Sequence, residues 1–258
     1  MRVTCGVDIG ARTVKAVLFD VDSSSVIASE VVLENANPQE TAQKLVERLC
    51  STVKGLHWPD TVIATGYGRR HCLFADDATT EITCHAVGCR SIFPDVGLVV
   101  DIGGQDSKII VLSEDGAVCD FEMNDRCAAG TGLFFEMACS LLSVDLREAG
   151  KLAAEAKDAA EISSMCAVFA QTEIVSLVQS GIATPAVLAG ICRSIAKRTS
   201  ALLGSRRLRG RIVFTGGVAL NRGVVLALSK ELGQPVSVPE SPQTTGALGA
   251  ALLGIRRL

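Results

Sequence analysis

GLVVDIGGQDSKIIVL, residues 97–112, reads as a buried strand, a glycine turn and a second strand, and it restates a pattern made earlier in the chain. Residues 4–19, TCGVDIGARTVKAVLF, align with it so that Asp8 matches Asp101, Ile9 matches Ile102, Gly10 matches Gly103 and Lys15 matches Lys108. The shared order of strand, Asp-x-Gly turn and strand points to an internal duplication. A turn of this kind offers backbone N–H groups to an anion, and its aspartate can hold a magnesium ion through water. One such loop alone reads equally as an ordinary β-hairpin. Two copies facing each other across a cleft would make a phosphate clamp.

Working outward, the first copy opens the chain and is followed by a strand at 26–33 and a helix at 38–49. A short buried strand at 61–65 ends in the glycine loop GYGRR, and TTEITCHAVGCRSI, 79–92, reads as a threonine-capped helix holding Cys84 and Cys89. Pro94 and Asp95 break the pattern. A boundary there predicts domains at 1–93 and 94–258, with the option that the last helix, 246–257, packs back on the first. Beyond the second copy, a helix is expected at 184–205 and a strand at 211–215. Gly216-Gly217, Val218 and Asn221 then lead into another helix, a turn fit to receive a nucleotide at a helix N-terminus. A short strand at 236–238 and Gln243 precede GALGAALLG, whose small residues suit close helix packing or an adenine ring against backbone.

Two cysteines are placed alike. In MNDRCAAGTGLFFEMACSLL, residues 123–142, Cys127 follows a turn-forming Asn124-Asp125-Arg126 and leads into a helix expected from Leu133. In ISSMCAVFAQTEIVSLVQSG, residues 162–181, Ser163 and Ser164 are expected N-caps, and Cys166 falls at the first turn. Helix N-termini stabilise thiolates and other anions. Read alone, either cysteine is more readily a small buried hydrophobe.

With 258 residues, 48% hydrophobic and 21% charged, the chain has the composition of a globular protein with a buried core. A net charge of −3 without a basic block argues against nucleic acid as ligand, and the cluster Arg206, Arg207, Arg209 and Arg211 reads as a solvated loop. No apolar run approaches the roughly 18 residues of a membrane span. Met1-Arg2 run straight into a strand, so no leader is expected. Ten cysteines without a CxxC pair point to thiols or metal ligands in a reducing, cytoplasmic compartment.

Taken together, these pieces resemble the actin, sugar-kinase and heat-shock-chaperone superfamily of ATPases. DIGARTVK is similar to its first phosphate loop, DIGGQDSK to its second and FTGGVALN to its adenosine motif. More closely, the chain resembles the activators of 2-hydroxyacyl-CoA dehydratases and the ATPase subunits of benzoyl-CoA reductase. The marks are ATGYGRR, EITCHAVG, VDIGGQDSK, MNDRCAAGTG, SMCAVFAQTEIVSL and GALGAALLG, spread over nearly the whole chain.

The resemblance implies an α/β fold of two actin-like (ribonuclease H-like) domains with a nucleotide cleft between them. It implies Cys127 and Cys166 as ligands of a [4Fe–4S] cluster. Such a cluster takes four thiolates and the resemblance assigns two per chain, so a homodimer sharing it is expected. The implied function is ATP-dependent one-electron transfer from a reduced ferredoxin or flavodoxin to an iron–sulfur dehydratase or reductase. Asp8 and Asp101 are expected to position magnesium through water. Gly10, Ala11, Arg12, Thr13, Gly103, Gly104 and Gln105 would hold phosphates, with Lys15 pairing their oxygens. Gln105 or Asp106 would orient the attacking water, and Gly216, Gly217, Val218, Asn221 and Gln243 would border the adenosine.

The chain departs from the family in its first loop, where Ala11, Arg12 and Val14 replace hydroxyl or small residues, and at Leu133, where arginine is common. Arg12 reads equally as a new phosphate contact or a solvated cation. Two rivals share the fold, a small-molecule kinase with Asp101 or Asp106 as base, and an ATP-switched binding module. Neither needs a cluster.

Overall fold

VTCGVDI, at the start of the chain, is buried at every residue, as a strand covered on both faces must be. The computed structural model describes residues 1–33, 37–163, 166–206 and 209–258. In it this stretch is β1 (Val3–Ile9), followed by β2 (Thr13–Asp20), β3 (Ser25–Leu33), α1 (Pro38–Thr52), β4 (Thr61–Thr65), β5 (Asp77–Ala78) and α2 (Glu81–Ile92). Asn37 caps α1 by accepting from Glu40 N–H, and Thr80 caps α2 by accepting from Thr83 N–H. Next come β6 (Val96–Ile102), β7 (Ser107–Leu112) and β8 (Val118–Asn124). The helices α3 (Gly132–Leu141), α4 (Leu146–Glu155), α5 (Ala167–Gln179) and α6 (Thr184–Leu203) follow. β9 (Arg211–Thr215), α7 (Arg222–Leu232), β10 (Val236–Ser237) and α8 (Thr245–Gly254) close the chain.

The strands form two five-stranded sheets, ordered β3-β2-β1-β4-β5 and β10-β9-β6-β7-β8. Read from β8, the second sheet runs third, second, first, fourth and fifth strand, the order of the first sheet. The duplication visible in sixteen-residue windows therefore extends to whole-sheet topology. β1 pairs antiparallel with β2 and parallel with β4, which sets Asp8 opposite Lys15 on one side and Thr65 on the other. The halves differ in their crossovers. Among the described residues α1 alone joins β3 to β4, whereas α3, α4, α5 and α6 join β8 to β9.

By its contacts the chain forms two units, one of Met1–Val99, Ile110–Cys119 and Pro239–Leu258, the other of Val100–Ile109 and Asp120–Val238. In the first unit, Val3, Cys5, Val7 and Ile9 of β1 join Ala42, Leu45, Val46, Leu49 and Cys50 of α1 in one core. The alternate residues of β1 meet α8. A Cβ on Gly6 would overlap the Ala247 carbonyl, and one on Gly249 would overlap the Cys84 carbonyl of α2. Small residues let α8 lie against β1 and α2 at backbone distance, so close packing is the observed use of GALGAALLG. In the second unit, Phe134, Phe135 and Ala138 of α3, Ile174 of α5, and Leu188, Ile191 and Ile195 of α6 are buried. α6 packs against α4, α5 and α7.

α3 starts at Gly132, and Cys127 lies in the loop just before it, one of the two placements open to the sequence. Two local expectations are corrected. Ser163 is not the cap of α5; its N–H and hydroxyl both donate to Glu173, and Cys166 itself stands at the N-cap. Ser164 lies outside the described residues. Arg206 is no solvated loop residue: it reaches Asp120 at 2.6 Å and Glu122 at 3.0 Å on β8, and holds the Asp120 carboxyl below the usual carboxylate range. Arg207 also lies outside the described residues.

Replacing Gly249 or Gly6 by valine forces side-chain carbon into a backbone carbonyl. The expected cost is about 3 kcal/mol, or a thermal midpoint roughly 10 °C lower for a chain of this size. A melting curve indistinguishable from that of the parent protein would contradict the close approach of α8.

Candidate functional site

Because β1 is covered on both faces, the carboxylate at its end sits where water is scarce: Asp8 is 5% exposed. Its Oδ2 is 3.2 Å from the Nζ of Lys15, its neighbour across β2. The turn between them is closed by the Gly10 N–H donating to the Thr13 carbonyl at 3.0 Å.

The second unit repeats the arrangement. Asp101 is 3% exposed and its Oδ2 is 3.2 Å from the Nζ of Lys108, which also lies 2.9 Å from Asp106. The turn is closed by the Gly103 N–H to the Asp106 carbonyl at 2.9 Å. Thr215 at the end of β9 donates its hydroxyl to Asp101 Oδ1 at 2.9 Å. In both turns the first glycine amide is thus committed to the turn itself. Ala11, Arg12 and Gln105 are exposed at the tips, and Arg12 makes a contact of its own.

A second correspondence was open to sequence reading and missed. Thr65-Gly66 after β4 and Thr215-Gly216 after β9 are counterparts, each a Thr-Gly step at the end of a buried strand. Gly66 and Gly216 have φ of 88° and 86°, where a side chain is strained. A Cβ on Gly66 would overlap Asp8 Oδ1 and the Ile9 carbonyl; one on Gly216 would overlap the Ile102 carbonyl and press on Asp101 Oδ1 at 2.9 Å. Each buried carboxylate is therefore walled by a glycine in a left-handed conformation.

Of the residues expected at adenosine, Gly217 and Val218 lie in a short 3₁₀ turn, and Asn221 caps α7 by accepting from the Val224 N–H at 3.0 Å. Its side-chain oxygen already has this structural role. Gln243, half-buried ahead of α8, belongs to the first unit, whereas the other four belong to the second.

The loop after β6 also bonds to α3. The Gly132 and Leu133 N–H groups donate to the Gly103 and Gly104 carbonyls, each at 2.9 Å. Thr131, at the N-cap, makes no side-chain bond to the helix; its hydroxyl donates to the Ala128 carbonyl at 2.7 Å. The first amides of α3 are engaged by the turn holding Gln105, so the expected stabilisation of an anion at Cys127 by them is not what this geometry provides.

Cys127 is half-buried and held by Asn124, which accepts from the Cys127 N–H at 3.2 Å and donates to its carbonyl at 3.1 Å. Sequence reading took Asn124 for a turn former only, and it is in addition a two-sided backbone clamp. Cys166 is exposed at the start of α5, beside Val168 and Phe169, the latter 69% exposed. α5 packs against α3. Cys5, Cys50, Cys72, Cys84, Cys89, Cys139 and Cys192 are buried, and Cys119 is exposed on β8. Burial pushes the thiols of Cys72, Cys84 and Cys192 up to about 12 and that of Cys139 to about 11. Cys5 is raised well above the ordinary thiol range by burial. Soft, accessible thiols at Cys127 and Cys166 suit iron–sulfur ligation. Among the described residues no group of three or more His, Cys, Asp or Glu could hold a metal ion. The carboxylates of Asp8 and Asp101 suit a hydrated magnesium ion, which takes few protein ligands and keeps its waters.

The BadF/BadG/BcrA/BcrD ATPase family matches residues 5–254. The activator of lactoyl-CoA dehydratase from Anaerotignum propionicum is 41% identical over 254 residues, 96% of each chain. The solved activator of 2-hydroxyisocaproyl-CoA dehydratase from Clostridium difficile, with bound ADPNP, is 35% identical with a TM-score of 0.93, covering 99% of this chain and 95% of that one. Component A of (R)-2-hydroxyglutaryl-CoA dehydratase from Acidaminococcus fermentans is 35% identical with a TM-score of 0.91, covering 100% and 99%. Sugar-kinase and actin-like structures at 14% and 15% identity, with TM-scores of 0.59 and 0.57, share the fold alone. The expected actin-like α/β fold is the fold of this chain.

Alkylation with iodoacetamide at about pH 8 separates the thiols. A thiol pushed to about 12 carries on the order of 1,000-fold less thiolate than an unperturbed one. Peptide mapping of metal-free protein is expected to show Cys119, Cys127 and Cys166 modified first, and Cys72, Cys84 and Cys192 only after denaturant is added. Early modification of Cys84 or Cys192 would contradict their burial.

Proposed function

Since the chain belongs to the BadF/BadG/BcrA/BcrD ATPase family, we propose that it is an ATP-hydrolysing activator of a CoA-ester dehydratase or reductase. In this reading it carries one electron from a reduced ferredoxin or flavodoxin to an iron–sulfur partner component. The observation that carries the reading is the placement of Cys127 and Cys166: accessible thiols ahead of α3 and α5, two helices that pack together, while most other cysteines are buried. Cys127 and Cys166 would hold a [4Fe–4S] cluster, and two thiolates per chain make a homodimer the simplest way to complete four. When bound, the cluster supplies one-electron redox chemistry.

The chain's own residues have separable tasks. Asn124 fixes the Cys127 backbone. Asp8 and Asp101 each offer a carboxylate to the hydration shell of magnesium, with Lys15 and Lys108 balancing charge until nucleotide arrives. The residues of each turn beyond its first glycine contact phosphate, and Gln105 or Asp106 orients the attacking water. The bonds from Gly132 and Leu133 to the Gly103 and Gly104 carbonyls support a direct mechanical link between that turn and the helix after Cys127.

Anaerobic purification tests this reading. The expected content is about two irons and two sulfides per chain in a brown dimer, abolished by Cys127→Ser or Cys166→Ser. A colourless dimer that still hydrolyses ATP would overturn it in favour of a kinase-like enzyme. Asp106→Asn and Gln105→Ala are expected to lower ATP turnover on the order of 100-fold at unchanged iron content, measured as phosphate release.

A further inference from the structure

Residues 156–166 join α4 to α5, and this connection is held to the helices at separate points. Ala160 donates its N–H to the Ala186 carbonyl of α6 at 2.9 Å, and its own carbonyl lies so close to Gly190 that a Cβ there would overlap it. Three residues on, the N–H and the hydroxyl of Ser163 both donate to Glu173 Oε1, at 2.9 and 2.8 Å. Glu173 belongs to α5, the helix that Cys166 leads, and stands about 10 Å along its axis from Cys166. Helical side chains lean toward the N-terminus of their helix, so a carboxylate at this position can reach back to the approaching chain. Past the cysteine, the Cys166 carbonyl accepts the Ala170 N–H at 2.9 Å. The backbone is thus fixed on both sides of Cys166, three residues before it by a side chain and after it by the first turn of the helix.

We propose that Glu173 is a positioning residue for Cys166: its carboxylate holds Ser163 and so sets where the chain delivers the thiol. The proposal rests on the reading above in which Cys166 holds the cluster together with Cys127. Hydrogen bonds to an ionised acceptor are about twice as strong as neutral ones, and two of them on one oxygen hold a residue against rotation as well as translation. Cys127 has its counterpart in Asn124, which clamps the backbone of that cysteine directly. Groups that orient metal ligands without touching the metal commonly cost roughly 10- to 100-fold in metal affinity when removed. Ser163 is exposed and Glu173 half-buried, so losing the contact costs the fold little and its effect on the thiol stands apart.

The rate at which iron leaves the anaerobically purified protein to a ferrous chelator tests the assignment, with the thermal midpoint of each variant measured alongside. Glu173→Ala removes both bonds. Ser163→Ala removes the hydroxyl bond and keeps the backbone one, and Glu173→Gln keeps an acceptor of the same reach without the charge. Glu173→Ala is expected to lose iron about tenfold faster than the parent protein. Ser163→Ala falls between them and Glu173→Gln recovers most of the loss, all at an unchanged thermal midpoint. Ser163→Ala added to Glu173→Ala is expected to change nothing further, since the two act through one contact. A parental rate in Glu173→Ala overturns the proposal; should that variant fail to fold, a parental rate in Ser163→Ala does so. Additive losses in the double variant overturn it too, because Glu173 then acts elsewhere. So does a Glu173→Gln as fast as Glu173→Ala, because charge and not the contact is then at work. If the parent protein holds no iron, the reading of Cys166 falls and the proposal with it. If Cys166→Ser abolishes the iron while the Glu173 and Ser163 variants keep the parental rate, only the proposal falls.

Discussion

A carboxylate buried at the end of a central strand has to be neutralised where it stands. Asp8 with Lys15, and Asp101 with Lys108, do this at the same distance in each half. Such pairs are weak contributors to stability, because desolvating two charges consumes most of what their attraction returns. Much of the local architecture nonetheless follows from keeping them. A Thr-Gly step after the adjacent strand walls each carboxylate, the glycine in a conformation few other residues tolerate. In the first unit α8 comes to backbone distance of β1, so that Gly246 stands next to Asp8. A position held at such steric expense is better understood as a place for chemistry than as a contribution to folding.

The strands around these carboxylates were legible because each is a short apolar run ending in glycine, and the internal repeat identified Asp8, Lys15, Asp101 and Lys108 as equivalent before any coordinates. The helices expected at 38–49, 79–92 and 184–205, found at 38–52, 81–92 and 184–203, were legible from apolar spacing, a threonine cap and an Ala-, Ile- and Leu-rich run respectively. β8 was not, because it is an edge strand exposed along most of its length and carries no alternation of buried and exposed residues. α4 was passed over as well: it is short, and Ala149, Gly150 and Ala153 are its buried residues, a weak apolar stripe. The start of α3 depended on tertiary hydrogen bonds from another loop, which sequence does not display. The clamp of Asn124 on Cys127, by contrast, spans only three residues and is a local asparagine turn that the sequence could have displayed. Arg206 looked solvated because its partners, Asp120 and Glu122, lie on the strand that was not anticipated.

Two halves with the same strand order have diverged in one place. The first crosses from its third to its fourth strand through α1, and the second does so through α3 to α6 among the described residues. Cys127 and Cys166 both lie in this enlarged crossover. The shared part of the fold carries the paired carboxylates, and the added part carries Cys127 and Cys166.

The hydrogen bonds from Gly132 and Leu133 to Gly103 and Gly104 have a thermodynamic side. α3 lacks a cap of its own, since Thr131 turns its hydroxyl back to Ala128, and so it borrows one from a neighbouring turn. A cap is worth about 1 kcal/mol to a helix, a large share for one only ten residues long. Whatever rotates those two carbonyls withdraws the loan, and the leading end of α3 frays while its packed remainder stays in place. A signal passed from that turn to the helix would therefore take the form of local melting and re-formation, a change in order more than a displacement.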